Sequence, residues 1–178
     1  MRAHRLTLAL VAAVLLAACA DTGPASTSSP ESGSPDTGRV ARVSDGDTLR
    51  LADGRRIRLV QIDAPERAVE CFGDAATDTL VLLAPVGSMV ELERDPGLDD
   101  RDRHGRLLRY VRAADRHVNL ELVRLGAAAP YFYRGERGRH AAALLRAAKL
   151  AVAERRGLWR ACPAARLAPT RQIAAGQP

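Results

Sequence analysis

Lysine is nearly missing from this sequence: 26 of its 27 basic residues are arginine. Its means of meeting anions is therefore the forked guanidinium, which grips phosphate and carboxylate oxygens in pairs, rather than a flexible ammonium. The net charge of +6 is compatible with a polyanionic partner without demanding one, since an arginine-rich surface also serves solubility. Aromatic residues number only six, so the consecutive Tyr131, Phe132 and Tyr133 stand out. Cysteine and histidine never cluster at metal-ligand spacing, which argues against a zinc centre. Internal repeats and a strand-helix-strand alternation are also missing, which argues against a solenoid and a doubly wound parallel sheet. No unexplained apolar stripe is visible, so a monomer is expected. At 178 residues there is room for one domain with a proper core plus appendages.

The chain opens with a sorting signal. Arg2 and Arg5 precede residues 6–18, which are apolar apart from Thr7, and the run stops at "LAAC", ending in Cys19. Such a run is too short to span a bilayer and reads as a secretory signal. A cysteine directly after small residues resembles the lipobox of bacterial lipoproteins, whose thiol is diacylated and becomes the new N-terminus; a plain signal-peptidase site is the alternative. Removing residues 1–18 leaves 25 basic residues against 21 acidic ones. Residues 19–38 are mostly Ser, Thr, Pro, Gly, Asp and Ala, the composition of a flexible tether. The folded part is thus expected at residues 39–162, outside the cell membrane and anchored through Cys19, or secreted if the lipobox is not used. Residues 163–178 read as a loosely ordered tail. With Cys19 assigned to lipid, Cys71 and Cys162 remain, and an even pair in an exported protein reads as a disulfide worth roughly 4 kcal/mol. Two buried thiols are the other possibility.

Residues 39–63 read as three strands, with Asp53-Gly54 as a two-residue hairpin turn between the second and third. On regular pleating Arg58 shares a parity with Val60 and Ile62, an odd place for a solubilising arginine. Residues 73–84 look helical and are stopped by Pro85. Residues 87–95 and 106–115 read as strands flanking a charged loop. Residues 117–126 form a short helix with Val118, Leu122 and Leu125 on one stripe and Gly126 as its C-cap. Residues 136–156 form an amphipathic helix through Ala141, Leu144, Leu145, Ala148 and Val152. Short strands with interposed helices predict an α+β fold, a small five-stranded OB-fold β-barrel with about three packed helices, whose strand face and loops commonly bind oligonucleotides.

Two stretches carry the chemistry, "SDGDTLR" at residues 44–50 and "LVQIDAPER" at residues 59–67. The second and third strands form a hairpin, so the start of one lies beside the end of the other and Asp47 can meet Asp63. Two carboxylates, a main-chain carbonyl and waters suit a hard, oxygen-seeking cation: Ca²⁺, with Mg²⁺ or Mn²⁺ possible. Aspartates in glycine turns are also ordinary turn residues, and Glu66 after "DAP" could be a helix N-terminal acid.

These stretches, followed by "DRHGR" (102–106), "YFY" (131–133) and "GLW" (157–159), occur in the order and near the spacing of the staphylococcal nuclease, or thermonuclease, family, and the resemblance covers the whole folded part. It implies an OB-fold hydrolase that cleaves phosphodiester bonds of DNA and RNA with Ca²⁺, leaving 3′-phosphate and 5′-hydroxyl ends. By motif, Asp47, Asp63 and the carbonyl of Ala64 would hold the cation, with Asp45 behind them. Glu66 would orient or deprotonate the attacking water, and Arg58 and Arg106 would hold the scissile phosphate. Arg103, His104, Tyr131 and Tyr133 would bind the neighbouring phosphate and stack a base. The chain departs from the family at Ala64, often Thr, and at His104, commonly Tyr. Cys71 and Cys162 have no counterpart in the cysteine-free staphylococcal enzyme, whereas related secreted forms carry "ECFG" and a cysteine after "GLW". Degenerate relatives of this barrel are catalytically inactive modules that bind nucleic acid or protein; such relatives are expected to lose the acids or arginines that this chain retains.

Overall fold

The computed structural model describes residues 36–177. The signal segment, Cys19 and most of the tether lie outside the described residues. The elements run β1 (Thr37–Asp45), β2 (Thr48–Leu51), β3 (Arg56–Leu59), β4 (Ile62–Asp63), α1 (Gly73–Leu83), β5 (Met89–Glu93), β6 (Leu107–Ala113), β7 (Arg116–His117), α2 (Val118–Leu125), β8 (Ala129–Pro130), a 3-10 turn (Tyr133–Gly135), α3 (Ala141–Ala153) and α4 (Leu158–Ala161). The main sheet has the order β3-β2-β1-β5-β6-β7, and β3 also pairs with β6. That last pairing is parallel, Ile57 opposite Leu107 and Leu59 opposite Arg109, and it closes five strands into a mixed barrel. Closure removes the open edges that would otherwise template pairing with another chain. The expected small α+β barrel is therefore what forms.

Alternation decides which face each strand buries. Leu49, Leu51, Ile57, Leu59 and Val111 are at most 1% exposed and fill the barrel. Leu80 of α1, Leu122 of α2 and Leu144 of α3 cap the same core. α2 ends as the sequence predicts: Gly126 adopts φ 71°, a left-handed C-cap that donates back to the last turn.

Three expected boundaries move. The third strand does not run on to Ile62; it ends at Leu59, and the chain turns at Val60-Gln61, with Gln61 at φ 64°. α3 starts at Ala141 rather than at 136, because the amides of Gly138 and Arg139 donate to the side chains of Gln61 and Asp95 instead of to helical carbonyls. The tail is not loose. It has almost no regular structure, yet Phe132 N–H donates to the Pro169 carbonyl, Cys71 N–H to that of Gly176, and Ile173 and Ala175 are buried beside Leu158 and Cys162. Cys71 and Cys162 are joined in a disulfide with Cα atoms 5.9 Å apart.

Candidate active site

Asp47 sits in the two-residue turn between β1 and β2, where Asp45 pairs with Thr48 across the hairpin. The turn is drawn tight by Asp45, whose carboxylate accepts from the Asp47 amide at 3.1 Å. It also lies against β4 and α1, so close that a Cβ on Gly46 would be 2.7 Å from that of Ala64, and only glycine fits. β2 pairs antiparallel with β3, and the next rung of the ladder is Leu59 N–H to the Asp47 carbonyl at 2.8 Å. The hairpin mouth thus brings Asp47 to the end of β3, as its sequence position implies.

From there the Val60-Gln61 turn swings the chain back through β4. Asn119, fully buried, fixes this turn by donating to the Val60 carbonyl at 2.9 Å while accepting from Val111 N–H. The Gln61 amide group bonds the Glu136 carbonyl and Gly138 N–H, both at 2.8 Å. The result places Asp63 beside Asp47, and the amide of Ala64 donates to Asp47 Oδ2 at 2.8 Å. Arg58 closes the group: its Nη2 lies 2.9 Å from Asp47 Oδ2 and 2.7 Å from Asp63 Oδ1, while Nη1 donates to the carbonyls of Leu59 and Ile62. The arginine that seemed misplaced on an apolar face is on the face opposite Ile57 and Leu59, aimed at two acids.

Both aspartates are about 95% buried. Burial pushes the Asp47 carboxyl up to about 7, with the neighbouring acids Asp45 and Asp63 adding to the rise and Arg58 only partly offsetting it. Asp63 is raised for the same first reason, against the opposing pull of Arg58 and of the Ile173 amide. Glu66 lies on the exposed loop after β4, and partial desolvation together with Asp45, Asp63 and Glu70 raises it too. Buried oxygen donors carrying more negative charge than one guanidinium neutralises fit a hard divalent cation. Among the described residues no group of three or more His, Cys, Asp or Glu side chains is arranged to hold a metal ion, so further donors would have to be backbone carbonyls and water.

Arg106 reaches the same mouth from the start of the β6 region. Asp102 fixes it, accepting from Nε at 2.6 Å and from the Arg106 amide at 2.9 Å. Thr48 links the two halves, donating to Asp47 Oδ1 at 3.0 Å and accepting from Arg106 Nη1 at 3.2 Å. A cleft of about 730 Å³ opens here, lined by Arg58, Glu66, Arg103, His104, Arg106, Tyr131 and Tyr133 among others. Phe132 is buried, while Tyr131 is half-buried and Tyr133 is 54% exposed, so the alternation along "YFY" turns both phenols to the cleft and the phenyl ring to the core. Arg103 and His104 touch each other on its rim at 3.1 Å. All the site residues named from the sequence within the folded part are therefore brought to one mouth, except the cysteine pair, which lies beside it.

Sequence reasoning missed Thr48, Asp102, Gln61, Asn119 and Ile173. Thr48 and Asp102 were inside motifs already quoted, and the need for a partner on each arginine could have found them. Gln61, although inside "LVQIDAPER", acts like Asn119 and Ile173 through tertiary contacts that leave no local pattern.

The family model described as "Staphylococcal nuclease homologue" matches residues 56–161. The chain is 45% identical over 98 residues to an "Uncharacterized endonuclease" of Escherichia coli O157:H7, covering 53% of this chain and 60% of that protein. It is 36% identical over 127 residues to an "Uncharacterized endonuclease" of Haemophilus influenzae, covering 69% and 66% respectively. Against the "Thermonuclease" of Staphylococcus intermedius the identity is 36% over 103 residues, covering 53% and 59%. The chain thus spans about three fifths to two thirds of the length of these curated relatives.

Proposed function

The chain belongs to the staphylococcal nuclease family, and from that premise we propose that it is a calcium-dependent nuclease hydrolysing the phosphodiester bonds of DNA and RNA outside the cell membrane. The observation that carries this reading is the single guanidinium of Arg58 shared between two buried carboxylates at the edge of an arginine-lined cleft. Ca²⁺, held by Asp47, Asp63 and the Ala64 carbonyl, would supply fixed positive charge at the scissile phosphate.

The remaining work falls to side chains. Attack of water on a phosphodiester gathers negative charge on the equatorial oxygens, and Arg58 and Arg106 meet that charge without being consumed. Arg106 is held for this by Asp102 and Thr48. Arg58 exchanges its aspartate partners for phosphate oxygens. Glu66, open to solvent and with its affinity for a proton raised, accepts the proton of the attacking water or orients that water. Tyr131 and Tyr133 offer ring faces for stacking bases, a contact tolerant of sequence, and Arg103 and His104 take the neighbouring phosphate. The family chemistry supports 3′-phosphate and 5′-hydroxyl products. Lipid attachment at Cys19 would hold the domain at the membrane on the residue 19–38 tether.

The test is digestion of single- and double-stranded DNA and of RNA by the full chain in Ca²⁺, in Mg²⁺ and in chelator. Cleavage in Ca²⁺ that stops in chelator is expected; the reading is falsified if folded protein binds nucleic acid in Ca²⁺ and leaves it intact. For the anchor, fatty-acid labelling should vanish in Cys19→Ala, and label that persists would exclude that cysteine.

A further inference from the structure

Asp63 lies on β4, a two-residue strand paired only with the equally short β8. So brief a ladder gives a side chain little orientation, yet the two oxygens of Asp63 have separate partners. Oδ1 faces Arg58 at 2.7 Å, on the side of Asp47. Oδ2 accepts from the backbone amide of Ile173 at 2.8 Å, a contact across 110 residues. The segment that brings this amide is tied at both ends, Pro169 to Phe132 and Gly176 to Cys71, the residue bridged to Cys162. Ile173 is 7% exposed and packs with Leu158, Cys162 and Ala175, while its neighbour Gln172 lines the cleft together with Glu66 and Tyr131. The stretch recognised by the family model ends at residue 161.

We propose that residues 169–176 form a positioning strap for the nuclease site, in which the Ile173 amide occupies one oxygen of Asp63 from behind and thereby points the other at the cation and at Arg58. This rests on the reading of Asp63 as a calcium ligand. The Ile173 amide acts on Asp63 from the side away from the cleft, whereas Gln172 of the same strap lines the cleft. A backbone N–H suits the task because it is a donor that cannot compete as a ligand, and because an isoleucine side chain beneath it anchors the segment in the core. The strap's far end is tied to the chain just after the loop that bears Glu66 by the hydrogen bond from Cys71 N–H to the Gly176 carbonyl, and the disulfide holds Cys71 to Cys162, just ahead of the strap.

Two variants separate the amide from the side chain. Ile173→Pro removes the N–H and keeps apolar bulk, whereas Ile173→Ala keeps the N–H and loses bulk. Calorimetric titration with Ca²⁺ is expected to show binding weakened about tenfold or more in Ile173→Pro and within about twofold of the parent in Ile173→Ala. Turnover at saturating Ca²⁺ should recover in Ile173→Pro, so that the loss appears in the calcium requirement and not in the chemical step. Equal calcium affinity in Ile173→Pro and the parent overturns the proposal. A second measurement does not depend on the cation: in chelator, the Ile173 amide should exchange with solvent about a hundredfold more slowly than an open amide, and this protection should fall in Asp63→Ala while barrel amides keep theirs. An unprotected Ile173 amide in the parent overturns the strap outright. Failure of the parent to bind Ca²⁺ or cleave would instead count against the nuclease reading, and the exchange result would then decide the strap alone.

Discussion

Three aspartates in this domain expose about equally little surface, Asp47 at 5% and Asp63 and Asp95 at 6%, yet Asp47 and Asp63 lie deep while Asp95 lies close beneath the surface, and their carboxyls shift in opposite directions. Burial pushes Asp95 up as well, but its carboxylate accepts from the amides of Arg139 at 2.8 Å and Gly97 at 3.0 Å and from the Tyr110 hydroxyl, with Arg139 nearby, and these outweigh burial so that its pKa ends below the ordinary range. Asp47 and Asp63 stand among other acids and share one guanidinium, and their pKa values end above it. Low exposure alone therefore does not distinguish a working acid from a structural one; depth and the balance of neighbouring donors and charges do. Asp95 is a satisfied joint between the loop after β5 and the start of α3. The pair at the hairpin mouth is short of positive charge, which the proposed cation would supply.

If that contrast holds, substitutions in the two regions should separate activity from stability. Glu66→Gln, which spares every buried contact, is expected to lower turnover by about a hundredfold to ten-thousandfold with an unchanged melting curve, measured by nucleic-acid digestion and thermal denaturation. Asp95→Asn should do the reverse. It sets an amide group against backbone donors, costs about 1–3 kcal/mol in denaturant unfolding, and leaves activity per folded molecule near the parent value. Asp47→Asn should abolish calcium-dependent cleavage and yet, in chelator at pH 8, raise stability by on the order of 1 kcal/mol, because it relieves a buried charge that has no sufficient partner. Destabilisation by Asp47→Asn under those conditions would erase the distinction between the regions.

The smallest effect is in the pH profile of the chelated parent. Asp47 holds its proton up to about 7 in the folded chain against an ordinary 3.8. Between those values the unfolded chain has released a proton that the folded chain keeps, so this contribution declines as pH rises and is fully lost above about 7. His117 works in the opposite sense. Burial and the adjacent His140 push it down to about 4 from 6.5, and its Nδ1 accepts from Leu120 N–H at the start of α2. The stability of that neutral ring is complete above 6.5 and is lost as pH falls toward 4. Over about 4 to 6.5 the two slopes oppose each other, so melting temperatures in chelator should stay nearly level there, and Asp47→Asn should uncover a rise with pH across that range.

Much of this was legible in the sequence, for reasons that can be named. The closed barrel follows from short alternating strands, and the helix at α2 from its stripe and from Gly126. Hairpin geometry brings Asp47 to the end of β3, but Asp63 reaches it only through the Val60-Gln61 turn, which the sequence did not announce. Arg58 shows where local reading reaches its limit: its regular-pleat parity with Val60 and Ile62 assumed a strand that in fact breaks at Gln61. The arginine's own isolation among apolar residues was the useful signal. The docked tail was illegible because its hold on Asp63 is one backbone amide, which any residue other than proline supplies.

The most direct test is whether Ca²⁺ stabilises the folded chain through the two acids at the hairpin mouth. Thermal or denaturant unfolding of the full chain, with Ca²⁺ at about a hundred times its dissociation constant, should show a gain of about 2.7 kcal/mol over chelator, and the gain should disappear in Asp63→Asn while persisting in Asp95→Asn. No calcium-dependent gain in the parent, or the same gain in Asp63→Asn, would contradict a cation site at Asp47 and Asp63.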